Sequence, residues 1–280
     1  MVRIITDSAA DFEPRELQEK NIACIPLMVM FGESEYQENV NLGKDQFYEL
    51  LLSCEELPKT SQASPQVLLD LFDDAAAAGD EAVYLTISSG ISGTYQTAMS
   101  TRSMVEGEGL YVLDTMNATG GQRLLVEYAV KLRDEGKTAE QIVEAVEALR
   151  DKIVLYACID TLEYLYKGGR ISRTAYTLGS MAQIKPIIRV DEQGGIEVPA
   201  KAMGMRKGMD MLCKKAEQVP YNKAFPFYVM YTNHKEAAQK LAEKIRAMGI
   251  EVGDDQIIQV GAAIGAHVGP DACGIVYVKE

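Results

Sequence analysis

The densest group of residues suited to binding an anion is segment 88–94, which reads Ser-Ser-Gly-Ile-Ser-Gly-Thr. It follows an apolar run, residues 82–87, that predicts a strand, and it leads into a predicted helix from Gly93 to about residue 105. Such a junction presents unpaired N–H groups and the positive end of a helix dipole, and Ser92 adds a hydroxyl donor. The lysine of a nucleotide-binding P-loop is missing. Whether Ser92 binds an anion or only caps the helix stays open.

Three more clusters of hydroxyl side chains lie at predicted strand–loop junctions, at residues 6–8, 60–64 and 114–117. Loops at one edge of a parallel sheet converge on a common crevice, so we expect hydroxyls that are distant in sequence, including Thr60, to surround one ligand. The alternative is ordinary turn and capping chemistry, which we prefer for Asp7 and Asp114.

Two basic residues lie in glycine-rich segments of the second half. His267 lies in segment 261–270, which predicts a tight loop, where a histidine can donate a hydrogen bond to an anion. Arg170 lies at the predicted exposed tip of segment 167–172, Lys-Gly-Gly-Arg-Ile-Ser, and is a candidate partner contact in an otherwise acidic chain. A structural histidine and a plain surface charge are the alternatives.

A serine hydrolase is the competing catalytic hypothesis, because Ser92, His267 and an aspartate could form a triad. Against it, the sequence around Ser92 is not the G-x-S-x-G of a nucleophile elbow. The chain has two histidines without an H-x-x-x-H pattern, and its five cysteines are dispersed, which indicates reduced thiols of a cytosol. We therefore expect neither a metal nor a cofactor.

The elements that must position these residues alternate in the first half. Strands are predicted at residues 2–6, 22–31, 82–87 and 110–113, with amphipathic helices between them. Ser64 before Pro65 marks one helix start, and Thr138 with Gln141 forms the capping box of another. The pattern predicts a mostly parallel α/β sheet.

The second half has a different pattern, with glycine pairs around shorter strands. Strands are predicted at residues 185–190, 196–201, 227–232, 256–260 and 274–278, and helices at about 205–218 and 235–248. Residues 191–195 predict a hairpin turn. We therefore predict an N-terminal α/β domain, residues 1–152, and a smaller α+β domain, residues 153–280.

The composition of the 280 residues is that of a globular protein with a formal net charge of −13. This charge argues against nucleic acid and against an anionic membrane surface as a standing partner. The apolar runs are too short for a membrane span, which favours a cytoplasmic location.

Six segments in this order resemble the DegV family, the fatty-acid-binding subunits of bacterial fatty acid kinase. Each segment is a weak signal alone, but all six together are specific. They are residues 6–11, 60–64, 88–94, 162–172, 184–186 and 265–270.

The resemblance implies that one long-chain fatty acid lies between an N-terminal α/β domain and a C-terminal α+β domain. Thr60, Ser92 and Gly93 would bind its carboxylate, with His267 approaching from the second domain and Arg170 near the mouth. A separate kinase subunit would phosphorylate the acid with ATP, and the acyl-phosphate would enter phospholipid synthesis. This chain would be a carrier without enzymatic activity or cofactor. Its partners would be the acid, the kinase subunit and, transiently, a membrane.

Two positions depart from the family pattern. Met203 lies where an arginine is frequent in a basic segment after the second-domain hairpin, and Ala63 replaces a frequent proline. The first departure keeps open the alternative of a lipid sensor that serves no kinase.

Overall fold

The computed structural model describes residues 1–177 and 183–280. These residues contain thirteen strands: β1 (Val2–Asp7), β2 (Ile22–Ile25), β3 (Met28–Phe31), β4 (Ser34–Gln37), β5 (Lys59–Ser61), β6 (Glu81–Thr86), β7 (Leu110–Asp114), β8 (Ile153–Ile159), β9 (Ile184–Val190), β10 (Ile196–Met203), β11 (Tyr228–Tyr231), β12 (Ile257–Gln259) and β13 (Ala272–Val278). Eleven α-helices accompany them: α1 (Pro14–Glu19), α2 (Lys44–Ser53), α3 (Pro65–Ala78), α4 (Thr94–Arg102), α5 (Thr119–Asp134), α6 (Ala139–Arg150), α7 (Glu163–Lys167), α8 (Arg173–Thr177), α9 (Met205–Gln218), α10 (Lys235–Ala247) and α11 (Ala262–Val268).

The first sheet is parallel throughout, with strand order β2-β1-β6-β7. Its central strands are almost continuously apolar and buried, as expected for a sheet covered on both faces. The predicted helix starts are confirmed: Ser64 and Pro65 begin α3, and Thr138 accepts a hydrogen bond from the Gln141 N–H at the start of α6. The expected α/β architecture is therefore present.

The predicted single strand at residues 22–31 is wrong, because the chain breaks after Ile25. Pro26 lacks the N–H that would continue the ladder, so β2 stays in the parallel sheet while β3 pairs with β4 and β5 in a small antiparallel sheet. Thr60, expected at a strand–loop junction, lies inside β5 and pairs with Val29. Because residues 22–31 are mostly apolar, the sequence pattern predicts neither the break nor this third sheet.

The remaining strands form a mixed sheet with order β10-β9-β8-β13-β11-β12. The predicted hairpin turn joins β9 to β10, where the Asp191 N–H donates to the Gly195 carbonyl at 2.9 Å and Gly194 takes φ +75°. At the outer edge, β10 carries Pro199, and its register shifts between Glu197 and Ala200.

Helix α5 lies between the two large sheets and contacts β1 and β6 of the first and β8 and β13 of the second. Its first turn fits closely there, since a Cβ on Gly120 would lie 2.5 Å from Cγ1 of Val276. All strands from β8 onward belong to the second sheet, while the domain boundary near residue 152 stays a prediction.

The loop predicted around His267 is wrong, because residues 262–268 form helix α11. Its glycine, Gly265, does not break the helix, since it allows contact with α2: a Cβ there would lie 2.7 Å from the Phe47 ring and from the Tyr48 hydroxyl. His267 thus lies in the last turn of a packed helix. Over the described residues, none of the helices has the length and apolar character needed to cross a bilayer.

Candidate functional site

A cavity of about 430 Å³ lies where the first and third sheets, α11 and the inner face of the second sheet meet. This volume falls in the range of about 300–1,000 Å³ usual for small-molecule sites. Its apolar walls come from both sides of residue 152 and include Leu27, Ile87, Ile91, Leu155, Leu165, Ile188, Val190, Ile196, Met230, Val260 and Ile264. All five residues predicted to form a site, Thr60, Ser92, Gly93, Arg170 and His267, also line it.

Short polar contacts position three of these five residues, Thr60, Ser92 and His267, in the cavity wall. Thr60 Oγ1 lies 2.8 Å from His267 Nε2, which joins β5 to α11 across 207 residues of sequence. Ser92 Oγ lies 2.9 Å from Thr94 Oγ1 at the start of α4, and it accepts a hydrogen bond from the Thr94 N–H. The segment 88–94 and the histidine of α11 therefore present their polar atoms to the same space.

Gly93 is the cap residue of α4, which spans Thr94–Arg102 rather than the predicted 93–105. Its N–H makes no hydrogen bond within the part of the chain that the structure describes. The side-chain oxygen of Gln62 lies so close that it would be 2.6 Å from a Cβ at this position. Gln62 was not singled out from the sequence, since nothing in its spacing marks it.

The imidazole of His267 is neutral at pH 7. Burial, assisted by the positive charge of Arg170, lowers the pKa of His267 to about 4. Its Nδ1 is shielded from solvent and has no hydrogen-bond partner among the described residues. Gly168 packs directly against this nitrogen, and any Cβ at residue 168 would overlap it.

Arg170 is not the exposed tip that the sequence suggested. The side chain is half-buried at the cavity, where Nε donates to the Ile91 carbonyl at 3.0 Å and a terminal nitrogen donates to the Gly168 carbonyl at 2.6 Å. The guanidinium therefore joins the loop after α7 to the segment that carries Ser92. Folding of segment 167–172 back onto the first sheet's loops accounts for the difference.

Ser88 holds the loop that carries Ser92 and Gly93 in place through buried hydrogen bonds. This fully buried hydroxyl donates to the Gly194 carbonyl at 2.8 Å and accepts from the Gly90 N–H at 3.1 Å. The Ser88 carbonyl in turn accepts from the Ser92 N–H. Gly90 packs against the hairpin turn, since its Cβ would lie 2.5 Å from the backbone of Gly194.

Helix α11 is held at its other end by two buried carboxyl groups. Asp11 accepts a hydrogen bond from the Gly261 N–H at 2.8 Å, and Glu38 accepts from the Ala263 N–H at 3.2 Å and from the Ser8 hydroxyl at 2.6 Å. Burial, together with the neighbouring Asp11, raises the pKa of Glu38 to about 7. No pattern in the sequence marks Glu38 as a residue of this region.

The two aspartates for which turn chemistry was preferred do make such bonds. Asp7 accepts from the N–H groups of Ala9 and Ile87, and Asp114 accepts from that of Met116 at 2.9 Å. Burial raises the pKa of Asp7 to about 6. Both carboxyl groups shape the loops at the sheet edge.

The geometry does not support the hydrolase alternative. The Ser92 hydroxyl is hydrogen-bonded to the Thr94 hydroxyl, while His267 Nε2 contacts the Thr60 hydroxyl. The other ring nitrogen has no carboxylate partner among residues 1–177 and 183–280, so the orienting member of a triad is missing. Nor do those residues contain a cluster of three or more histidine, cysteine or acidic side chains suited to a metal.

Comparison with known proteins identifies relatives of full length. The family model of the DegV family, described as uncharacterised proteins, matches residues 1–280. The DegV domain-containing protein BH3627 of Halalkalibacterium halodurans is 33% identical over 282 residues, covering 100% of this chain and 99% of that protein.

Solved structures give the same result for the fold. A fatty-acid-binding DegV family protein from Thermus thermophilus superimposes with a TM-score of 0.89 and 26% identity, covering 100% of this chain and 99% of the other. A stearic-acid-binding protein from Eubacterium ventriosum gives a TM-score of 0.89 and 25% identity, with 100% and 98% covered.

Proposed function

Because the chain belongs to the DegV family, whose model matches residues 1–280, we propose that it binds a long-chain fatty acid in the cavity and is a carrier rather than an enzyme. The observation that carries the proposal is the polarity of the cavity, in which the hydroxyl, amide and imidazole groups around Thr60 and His267, here called the polar end, adjoin mostly apolar walls. A ligand that fits has one small polar head and a long apolar tail. The two fatty-acid-binding structures similar to this chain support this assignment.

The head group of the acid is held by uncharged donors. The hydroxyls of Thr60 and Ser92 and the free N–H of Gly93 bind the carboxylate. In the tautomer that has its proton on Nε2, His267 donates to Thr60 Oγ1 and leaves the Thr60 proton for the carboxylate. Arg170 supplies a positive charge beside this group.

The tail supplies most of the binding free energy. A chain of about 15 methylenes gains roughly 12 kcal/mol on burial, at about 0.8 kcal/mol per methylene, before the cost of ordering it. Tight retention therefore needs the apolar walls more than it needs an ion pair.

Mass spectrometry of lipid extracted from the purified protein tests the proposal. We expect a fatty acid in about equimolar amount. After removal of lipid, Thr60→Val and Ser92→Ala should each weaken fatty-acid binding about tenfold, through loss of a hydrogen bond to a charged group. Ser89→Ala, an exposed hydroxyl of the same loop, is the control. No bound lipid and no affinity for added acid would reject the proposal.

We further propose that a separate kinase subunit phosphorylates the bound acid with ATP, as the resemblance of the six segments implies. His267 and Arg170, at the polar end, would position the head group for the kinase. The acyl-phosphate would then leave for phospholipid synthesis, in a cytoplasmic reaction with transient membrane contact.

Loaded protein mixed with a fatty acid kinase subunit and ATP tests this coupling. Acyl-phosphate formation supports it. Its absence, in a protein that binds the acid, favours the lipid sensor that Met203 left open.

A further inference from the structure

Two separate spaces in the molecule share two residues of their walls. Leu155 and Val190 line the cavity, and both also line a second cleft of about 470 Å³ beside α9. Among the described residues, the two spaces have no other residue in common. These side chains therefore lie between the cavity and the second cleft.

Strands β8 and β9 are not paired with each other at Leu155 and Val190. The ladder between β8 and β9 runs from Cys158 and Ile187 to Tyr156 and Arg189, and it stops one residue before Leu155 and Val190. Strand β9 ends there as the chain enters the hairpin. The separation of the two spaces consequently depends on side chains, which a substitution can change without breaking a ladder hydrogen bond.

The two spaces differ in polarity. The cavity is apolar where β8 and β9 line it, whereas the second cleft is bordered by charged side chains. These are Arg150, Asp151, Arg189, Asp191, Glu192, Lys215 and Lys279. A methylene that passed between Leu155 and Val190 would leave apolar surroundings for a charged, hydrated surface.

We propose that Leu155 and Val190 form an end wall that sets the longest acyl chain the cavity accepts. This inference rests on the proposed function. None of the residues assigned to the carboxylate lies on β8 or β9, and the residues that these two strands contribute to the cavity are apolar, so we assign the end wall to the tail part of the cavity. Smaller side chains at the wall should join the two spaces and admit a longer acid.

The affinity of the delipidated protein for saturated acids, from myristic to behenic, tests the proposal. Wild type should bind one acid most tightly and lose affinity for longer ones. In Leu155→Ala the optimum should move to a longer acid, with a gain of up to about fourfold for each further methylene that fills the apolar volume vacated by the leucine side chain. Val190→Ala removes fewer atoms and should move the optimum in the same direction, even if Leu155→Ala folds poorly.

Leu165→Ala is the matched control. It removes the same atoms from another buried lining residue, but one whose carbonyl accepts from the Arg170 N–H near the polar end, so the optimum should not move to longer acids. An unchanged optimum in both wall variants, with wild-type binding intact, overturns the end wall alone. A wild-type protein that binds none of the acids overturns the proposed function and the end wall together.

Discussion

The neutral state of His267 makes the stability of the protein depend on pH. Its pKa is about 4 in the folded protein and 6.5 in the unfolded chain, so the unfolded chain takes up a proton first as the pH falls. The contribution of His267 is therefore fully present above pH 6.5 and is lost as the pH falls towards 4. We expect the stability advantage of wild type over His267→Asn to shrink by about 2 kcal/mol from about pH 7 to pH 5.

Urea unfolding of both delipidated proteins at the two pH values measures this difference. The other titrating groups are common to both proteins and cancel. Ser89→Ala, which removes an exposed hydroxyl that does not titrate, should leave the pH dependence of wild type unchanged. An advantage that is the same at both pH values would contradict a neutral, buried His267.

At the residue scale, the sequence predicts which side chains can bind an anion better than it predicts the burial and the partners of each side chain. Thr60, Ser92, Gly93, Arg170 and His267 were selected by residue type and motif, and they meet in one cavity. The burial of Arg170 could not be foreseen, because it depends on the distant Ile91 carbonyl. Glu38 was missed for the same reason, since its partners Ser8 and Ala263 are remote in sequence.

At the scale of elements, the contact between the β9–β10 hairpin and the loop before α4 should support ligand binding. Ser88→Ala leaves the Gly194 carbonyl and the Gly90 N–H without their buried partner, which costs about 1–3 kcal/mol of unfolding free energy. Since this loop carries Ser92, fatty-acid affinity should fall as well. Ser53→Ala, an exposed helix serine, is the control for chemical denaturation and binding, and equal values for the two variants would refute the role of Ser88.

The attachment of α11 through Glu38 should produce the opposite pH dependence to that of His267. The pKa of Glu38 is raised from 4.5 to about 7 on folding, so its contribution to stability is largest below pH 4.5 and is lost as the pH rises through 7. Relative to Glu38→Gln, wild type should therefore lose stability between about pH 5 and pH 8. Unfolding curves at both pH values test this, with the exposed Glu35→Gln as control, and a difference that grows with pH would contradict it.

Elements with local signals were predicted best. The bounds of α9 match the prediction, and the capping box of α6 and the hairpin turn are confirmed. The third sheet was missed because β5 has only three residues and β3 continues an apolar run from β2. The glycines of segment 261–270 predict a loop, but contact with α2 stabilises a helix at residues 262–268. Local periodicity cannot report such tertiary contacts.

At the scale of the whole molecule, a bound acid should stabilise the fold, because it would contact residues from both sides of residue 152. A ligand at one hundred times its Kd adds about 2.7 kcal/mol to the unfolding free energy, which for a chain of this size raises Tm by about 5–10 °C. Delipidated protein should unfold at the lower temperature and recover when palmitic acid is added. Hexadecanol, which lacks the carboxylate, should restore less, and an equal effect of both would show that the polar end contributes nothing.

The structure of β10, which is an edge strand of the second sheet, affects whether copies of the protein aggregate at high concentration. The unpaired edge of an open sheet can pair with a strand from a neighbouring copy, and repeated pairing of this kind builds fibrils. Pro199 offers no N–H to an arriving strand, and the register shift between Glu197 and Ala200 interrupts any straight ladder. The protein can therefore accumulate to high concentration without this sheet edge seeding aggregates.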